Sequence, residues 1–394
     1  MTTEPVAIAV PFPIDFGNVQ QVGFDDQPAA QVTQIPPRSP KLGKDQYEAM
    51  RDLGFSKGMA ESLSQSISEF ALRIWIVDNS GSMAQNDGHK LIKDSSRISG
   101  TRSVPCSRWE ELQDTVEYHA DLAAHMKAPT SFRLLNPPGM LVGPQKFSIA
   151  QNGDSNIPED LNIAKGTMAA ARPGGATPLV THINEIREEV QALAPSLKAD
   201  GRKVAIILAT DGLPTNPRGV PPGNERENFV AAMKSLEGLP VWIVIRLCTD
   251  TQRIVDYYND LDRQLELSIE VLDNYEDEAL EMYGPNPWLN YTMQIHRMRE
   301  MGFQKRYFDY CDERELTLTE LYEFCVMLFG KSNFQGVPTA EENFKDFCKA
   351  VKTMVKKEQP AFHPVRRVKK ELVSIQMIKN IYRTKSNDSC CCMW

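Results

Sequence analysis

Five side chains that offer only oxygen sit in three separated pieces of this sequence: Asp78-x-Ser80-x-Ser82, Thr177 and Asp211. Three hydroxyls and two carboxylates make a hard donor set of the kind that suits Mg²⁺ or Mn²⁺, ions that keep waters and prefer six-fold coordination. Two carboxylates roughly neutralise a divalent cation and leave a coordination position for a group from outside the chain. Each piece alone is ordinary. Asp78-Asn-Ser-Gly-Ser82 reads as a turn, Thr177 as a helix N-cap and Asp211-Gly212 as a strand-ending turn. Only together, in that order and on suitable elements, do they point to a metal.

Those elements are legible. Leu72-Arg-Ile-Trp-Ile-Val77 is an apolar, β-branched run that stops at Asp78, the pattern of a buried strand feeding a polar loop. Val204–Ala209 is a second such run, ending at Thr210-Asp211-Gly212. Thr177-Pro178 opens a helix to about Leu197, with proline in its first turn. Further helices are predicted over Trp109–Met126, from Pro158 to about Ala171, and over Asn228–Leu236 and Thr251–Leu265. Further strands are predicted over Val241–Leu247 and Ser268–Leu272, and a hairpin joins Ser131–Leu135 to Gln145–Ala150 around Pro137-Pro-Gly. Strands alternating with helices predict an α/β fold with a doubly wound, mostly parallel sheet, carrying helical extensions at both ends. Ligands of such sheets sit at the carboxyl ends of strands near a topological switch, where Asp78 and Asp211 both fall.

The three pieces resemble the metal-ion-dependent adhesion site of the von Willebrand factor A domain, and the resemblance covers about residues 72–275. It implies a Rossmann-like sheet in which Ser80, Ser82 and Thr177 coordinate Mg²⁺ directly while Asp78 and Asp211 act mainly through waters. It further implies that an acidic group of a protein partner completes the metal shell. All five positions match. One departure is an insertion of about 26 residues between Ser82 and Trp109, read either as a floppy polar segment or as a hairpin of His89–Lys93 and Thr101–Cys106 that stands beside the metal and screens partners or covers the face.

An internal echo follows. Met50-Arg-Asp-Leu-Gly-Phe-Ser-Lys57 matches Met298-Arg-Glu-Met-Gly-Phe-Gln-Lys305 in residue type at nearly every position. Both resemble the loop between the first helices of ubiquitin-associated (UBA) domains. That resemblance makes Met301, Gly302 and Phe303 a candidate ubiquitin-binding loop. The plainer reading is a helix–Gly–helix corner packed on the main domain.

The remaining signals lie at the ends. Residues 1–43 hold seven prolines and read as a disordered arm, with no basic residue before Arg38 and hence no signal peptide. From Val351 to Ser386 there are ten Lys/Arg against two Glu, a net of +8, whereas residues 1–350 carry 34 basic and 49 acidic residues, a net of −15. Residues 351–394 therefore read as a basic tail ending in Cys390, Cys391 and Cys392. Acylation of these cysteines beside a polybasic segment would attach the chain peripherally to an anionic membrane.

Composition narrows the classes. A chain of 394 residues, 41% hydrophobic and 24% charged, is globular. Its acidic body argues against nucleic-acid binding, and its apolar runs are strand-sized, far short of the ~20 residues that span a bilayer. The scattered cysteines read as reduced thiols of a cytoplasmic protein. No G-x-S-x-G, H-E-x-x-H or GxxxxGK[ST] is present, and no base stands beside the acidic loops. The domains expected are thus the arm 1–43, a UBA-like segment 44–71, the A domain 72–275, a helical region 276–350 and the tail 351–394. The expected function is a non-enzymatic interaction module binding a partner's Asp or Glu through Mg²⁺. The alternatives are a ubiquitin-binding adaptor and a metal-dependent phosphoester hydrolase.

Overall fold

A computed structural model of the chain describes residues 35–36, 42–94, 96, 100–216, 218 and 223–382. The Pro-rich arm lies almost wholly outside the described residues, and Cys390–Cys392 lie outside them altogether. Two helices come first, α1 (Lys44–Asp52) and α2 (Lys57–Glu69), followed by β1 (Phe70–Val77). A hairpin, β2 (Gly88–Lys93) and β3 (Thr101–Cys106), precedes α3 (Arg108–Met126), β4 (Thr130–Leu134), β5 (Lys146–Ile149) and α4 (Ile157–Ala170). Then come α5 (Leu179–Asp200), β6 (Lys203–Thr210), α6 (Glu225–Lys234), β7 (Val241–Leu247), α7 (Gln252–Gln264) and β8 (Ile269–Leu272). Helices α8 (Tyr275–Tyr283), α9 (Met293–Glu300), α10 (Arg306–Cys311), α11 (Leu318–Phe329) and α12 (Phe344–Val355) follow. A short hairpin, β9 (Ala361–His363) and β10 (Val368–Lys370), leads to α13 (Ile375–Tyr382).

The main sheet has six strands in the order β5-β4-β1-β6-β7-β8, parallel throughout except for β5, which runs antiparallel to β4. All eight residues of β1 are buried because helices cover both faces, which is why the strand reads as an apolar run broken only by Arg73. On one face Leu72, Ile74 and Ile76 pack with Ile183, Ile186 and Val190 of α5. On the other, Trp75 and Val77 pack with Trp109, Leu112 and Val116 of α3. The order of connection reverses at β1, with β4 on one side and β6 on the other. The crevice at their carboxyl ends is a topological switch point.

A second body is helical. Met50, Phe55, Met59 and Leu63 from α1 and α2 share one apolar core with Ile295, Met298, Phe324, Leu328 and Phe347 from the C-terminal helices. Residues 44–71 had room for only two helices, and the third comes from the other end of the chain. The closest approach is at Gly58, where a Cβ would lie 2.2 Å from the backbone nitrogen of Gly330. The echoed segments adopt the same turn. Phe55 N–H donates to Met50 O and Phe303 N–H to Met298 O, both at 3.0 Å, with Gly54 and Gly302 at φ +88° and +86°. This six-residue closure with a left-handed glycine after the helix is the Schellman C-cap.

Much of the expected tail is folded. Val351, Met354 and Val355 of α12, then Leu372, Val373, Ile378 and Tyr382, are buried in the helical core. Apolar residues interleave with the Lys/Arg, so the charges form the solvated side of ordered elements rather than a free segment. No helix among the described residues is long and apolar enough to cross a membrane.

Candidate metal centre

The register of β1 against β6 pairs Val77 with Ala209, so the residues just beyond them, Asp78 and Thr210-Asp211, emerge side by side. Asp78 is fully buried. Its Oδ1 accepts from the Ser80 N–H at 2.8 Å, and its Oδ2 accepts from the Thr210 hydroxyl at 2.5 Å. The Ser80 and Ser82 hydroxyl oxygens lie 3.0 Å apart, and Ser82 donates to Asp211 Oδ1 at 2.7 Å. Burial, and after it the nearby Asp211 carboxylate, pushes Asp78 up to about 6. Two buried carboxylates held this close leave a deficit of positive charge.

Thr177 closes the third side. It is buried, and its backbone N–H is held by the Thr215 hydroxyl at 2.9 Å. Pro178 is the N-cap of α5, so the Thr177 side chain does not cap the helix, and it makes no hydrogen bond among the described residues. A Cβ built on Gly212 would lie 3.7 Å from its hydroxyl, which places Thr177 against the Asp211 loop. Gly81 N–H donates to Gly175 O and Gly174 N–H to Asn79 O, tying the Ser80–Ser82 loop to the segment before Thr177. All five expected side chains thus meet at one end of the sheet.

The donor set fits a hard cation. The Ser80 and Ser82 hydroxyls, hydrogen-bonded at 3.0 Å, and the Thr177 hydroxyl are oxygen donors of the kind such an ion takes. Among the described residues no group of three or more His, Cys, Asp or Glu side chains could hold a metal. The donors gathered here are mostly hydroxyls, which fall outside such a group.

The sequence reading missed Arg108. This buried residue opens α3, donating from Nη1 to Asp211 Oδ2 at 2.8 Å and from Nε and Nη2 to both oxygens of Asp87 at 2.7 and 2.6 Å. Burial alone would lower the guanidinium, but the hydrogen bonds and charges of Asp87 and Asp211 outweigh it and hold its pKa above the ordinary value. It offsets the charge of Asp211, leaving Asp78 as the uncompensated carboxylate. No spacing rule could find it, because the hairpin separates it from the Asp78 loop. That hairpin, β2 and β3, has its base at Arg108 and packs Leu91 toward the helical core. Its far end, Gly100, approaches Lys369 of β10.

The other expected residues lie apart from this centre. Met301, Gly302 and Phe303 are buried, and a Cβ on Gly302 would meet Trp242 at 3.2 Å and Ala205 at 3.4 Å, both on the main sheet. Arg73 of β1 donates from Nε to Met301 O at 3.2 Å. The corner is a packing element between the two bodies, and its side chains have no solvent-facing surface to offer ubiquitin. Two histidines are tied up elsewhere: His182 of α5 donates from Nε2 to Leu135 O at 3.1 Å. His119 contacts Glu300 at 2.8 Å in the interior.

No family model matches the chain. No curated protein matches it either. Among solved structures it is similar to a point mutant of the PilB minor pilin from Streptococcus sanguinis, with 16% identity and a TM-score of 0.34. The alignment covers 61% of this chain and 62% of the pilin, so the chain spans less than two thirds of that protein. A likeness at this level bears on neither the fold nor the function.

Proposed function

We propose that this chain is a non-enzymatic protein-interaction module that takes an Asp or Glu carboxylate of a partner at a Mg²⁺ (or Mn²⁺) centre. Ser80, Ser82 and Thr177 would hold the ion directly, and Asp78 and Asp211 would act mainly through waters. When bound, the cation supplies the positive charge that attracts the partner's carboxylate. Asp78 positions the Ser80 loop through its hydrogen bond to the Ser80 N–H, and Asp211 orients the Ser82 hydroxyl. Thr210 anchors Asp78 from the strand below.

The observation that carries this reading is the convergence of five oxygen side chains from three distant segments at the switch between β1 and β6, with two hydroxyl oxygens 3.0 Å apart. The likeness of the motif to the von Willebrand A adhesion site supports it. Calorimetric titration of Mg²⁺ and Mn²⁺ into the full chain tests it, wild type against Asp78→Ala. Saturable binding in the wild type, lost in the variant with an unchanged circular dichroism spectrum, is expected. Equal binding by both proteins removes the site assignment.

A further inference from the structure

The connection between β4 and β5 contains eight successive residues, Pro137-Pro-Gly-Met-Leu-Val-Gly-Pro144, none with a side chain that can carry charge or hydrogen-bond. At its tip Met140 is 93% exposed and Leu141 is 103% exposed, far more than any other large apolar residue described. The tip is held at both feet. Val142 N–H closes a turn on Gly139 O at 3.0 Å, and the Gln145 side chain donates to Leu134 O and Leu135 O at 2.9 and 3.3 Å. Gly143 backs onto α4 so closely that a Cβ there would lie 2.2 Å from the Thr167 hydroxyl.

The other foot is Asn136, and it is bonded to the metal loops. Its N–H donates to Asn79 Oδ1 at 2.8 Å, and the Asn79 amide returns a bond to Asn136 O at 2.9 Å. Its own side-chain amide donates to Ala176 O at 2.8 Å. Asn79 lies between Asp78 and Ser80, and Ala176 precedes Thr177. One residue therefore fixes the apolar tip relative to two of the three metal-bearing segments. Rigid presentation lowers the ordering cost of any contact the tip makes.

We propose that Met140 and Leu141 form the apolar half of a two-point docking face whose polar half is the metal centre. The partner is a protein segment that presents a carboxylate beside aliphatic or aromatic side chains. This rests on the carboxylate-binding reading above. A lipid surface fits less well, because anionic headgroups need free cations near the wedge. The two cations flanking the loop, Arg133 and Lys146, are paired with Glu189 and Glu185. The whole chain carries a net charge of −8.

A random peptide library displayed on phage, selected on the full chain in saturating Mg²⁺, tests the proposal with wild type, Met140→Ser/Leu141→Ser and Asp78→Ala in parallel. The wild type should enrich peptides in which Asp or Glu stands at a fixed spacing from aliphatic or aromatic residues. The double variant should titrate Mg²⁺ as the wild type does yet bind those peptides about ten- to a hundredfold more weakly. Equal peptide affinities for wild type and double variant overturn the tip assignment. So does a wild type that titrates Mg²⁺ but enriches no such peptide. Flotation with phosphatidylserine vesicles that depends on Met140 and Leu141, without any peptide effect, overturns it in favour of a membrane. Failure to titrate Mg²⁺ at all falls on the metal reading and is seen separately in the calorimeter.

Discussion

Arg108 and Asp211, 103 residues apart in sequence, form a buried ion pair with Nη1 2.8 Å from Oδ2, and the same guanidinium reaches out to Asp87 at the base of the hairpin. The first turn of α3 therefore carries the countercharge for one of the two carboxylates of the proposed metal centre. It also joins the insertion to the centre through Asp87.

Removing that cation should expose a buried, unpaired carboxylate beside Asp78. Arg108→Met is expected to destabilise the metal-free protein by about 3 kcal/mol, read from urea denaturation. Saturating Mg²⁺ should recover much of the loss, since the ion restores positive charge at Asp211. An equal loss with and without Mg²⁺ would separate Arg108 from the metal centre.

Acid sensitivity should come in part from His119. Burial, opposed by the hydrogen bond and charge of Glu300 and aided by Arg297 and His296, pulls its pKa down to about 4 from the ordinary 6.5. The unfolded chain then binds more protons between those values. The stabilising contribution of the neutral ring is complete above about 6.5 and is lost as pH falls toward 4. At pH 5 the loss is about 2 kcal/mol. Glu270, pushed up to about 7 by burial, acts in the opposite sense, its contribution falling as pH rises from about 4.5 to 7. Comparing wild type with His119→Gln at pH 7 and pH 5 isolates the histidine, and the variant should lose less on acidification. Identical losses would refute the assignment.

The two echoed glycines should respond differently to alanine. Both sit at positive φ, which costs an alanine about 1 kcal/mol. At Gly54 the neighbour is the end of the Gln294 side chain, which can swing away by giving up its one hydrogen bond to Leu53 O. At Gly302 the neighbours are Trp242 and Ala205 on the sheet, which cannot. Gly302→Ala is therefore expected to cost about 1 to 2 kcal/mol more than Gly54→Ala, read from denaturation midpoints. Equal costs would mean the corner at Gly302 is not packed as described.

Phe303, 4% exposed, belongs to the same corner. Phe303→Ala should cost about 3 to 5 kcal/mol of stability and leave retention of the folded chain on ubiquitin beads unchanged. Wild-type retention that this substitution abolishes, with the fold intact by circular dichroism, would show that the corner opens to bind.

Local chemistry was enough to place the strands ending at Asp78 and Asp211, the hairpin in the insertion and the glycine corners. Buried parallel strands write themselves as apolar runs, and turns as Gly, Asp and Ser. The candidate donor set was legible for the same reason: its members sit where strands stop, and strand ends of an α/β sheet converge. What sequence spacing could not supply was any relation between segments that touch only because the chain folds. Arg108 reaches Asp211 across a hairpin. Asn136 ties the apolar tip to Asn79. The helices at 44–69 find their third partner almost 250 residues later. Residues 351–382, which by charge alone read as a tail, fold because their apolar positions meet a core assembled from both ends of the chain. Periodicity reports which face of an element is apolar, but only the tertiary structure decides what that face, or a charge beside it, will meet.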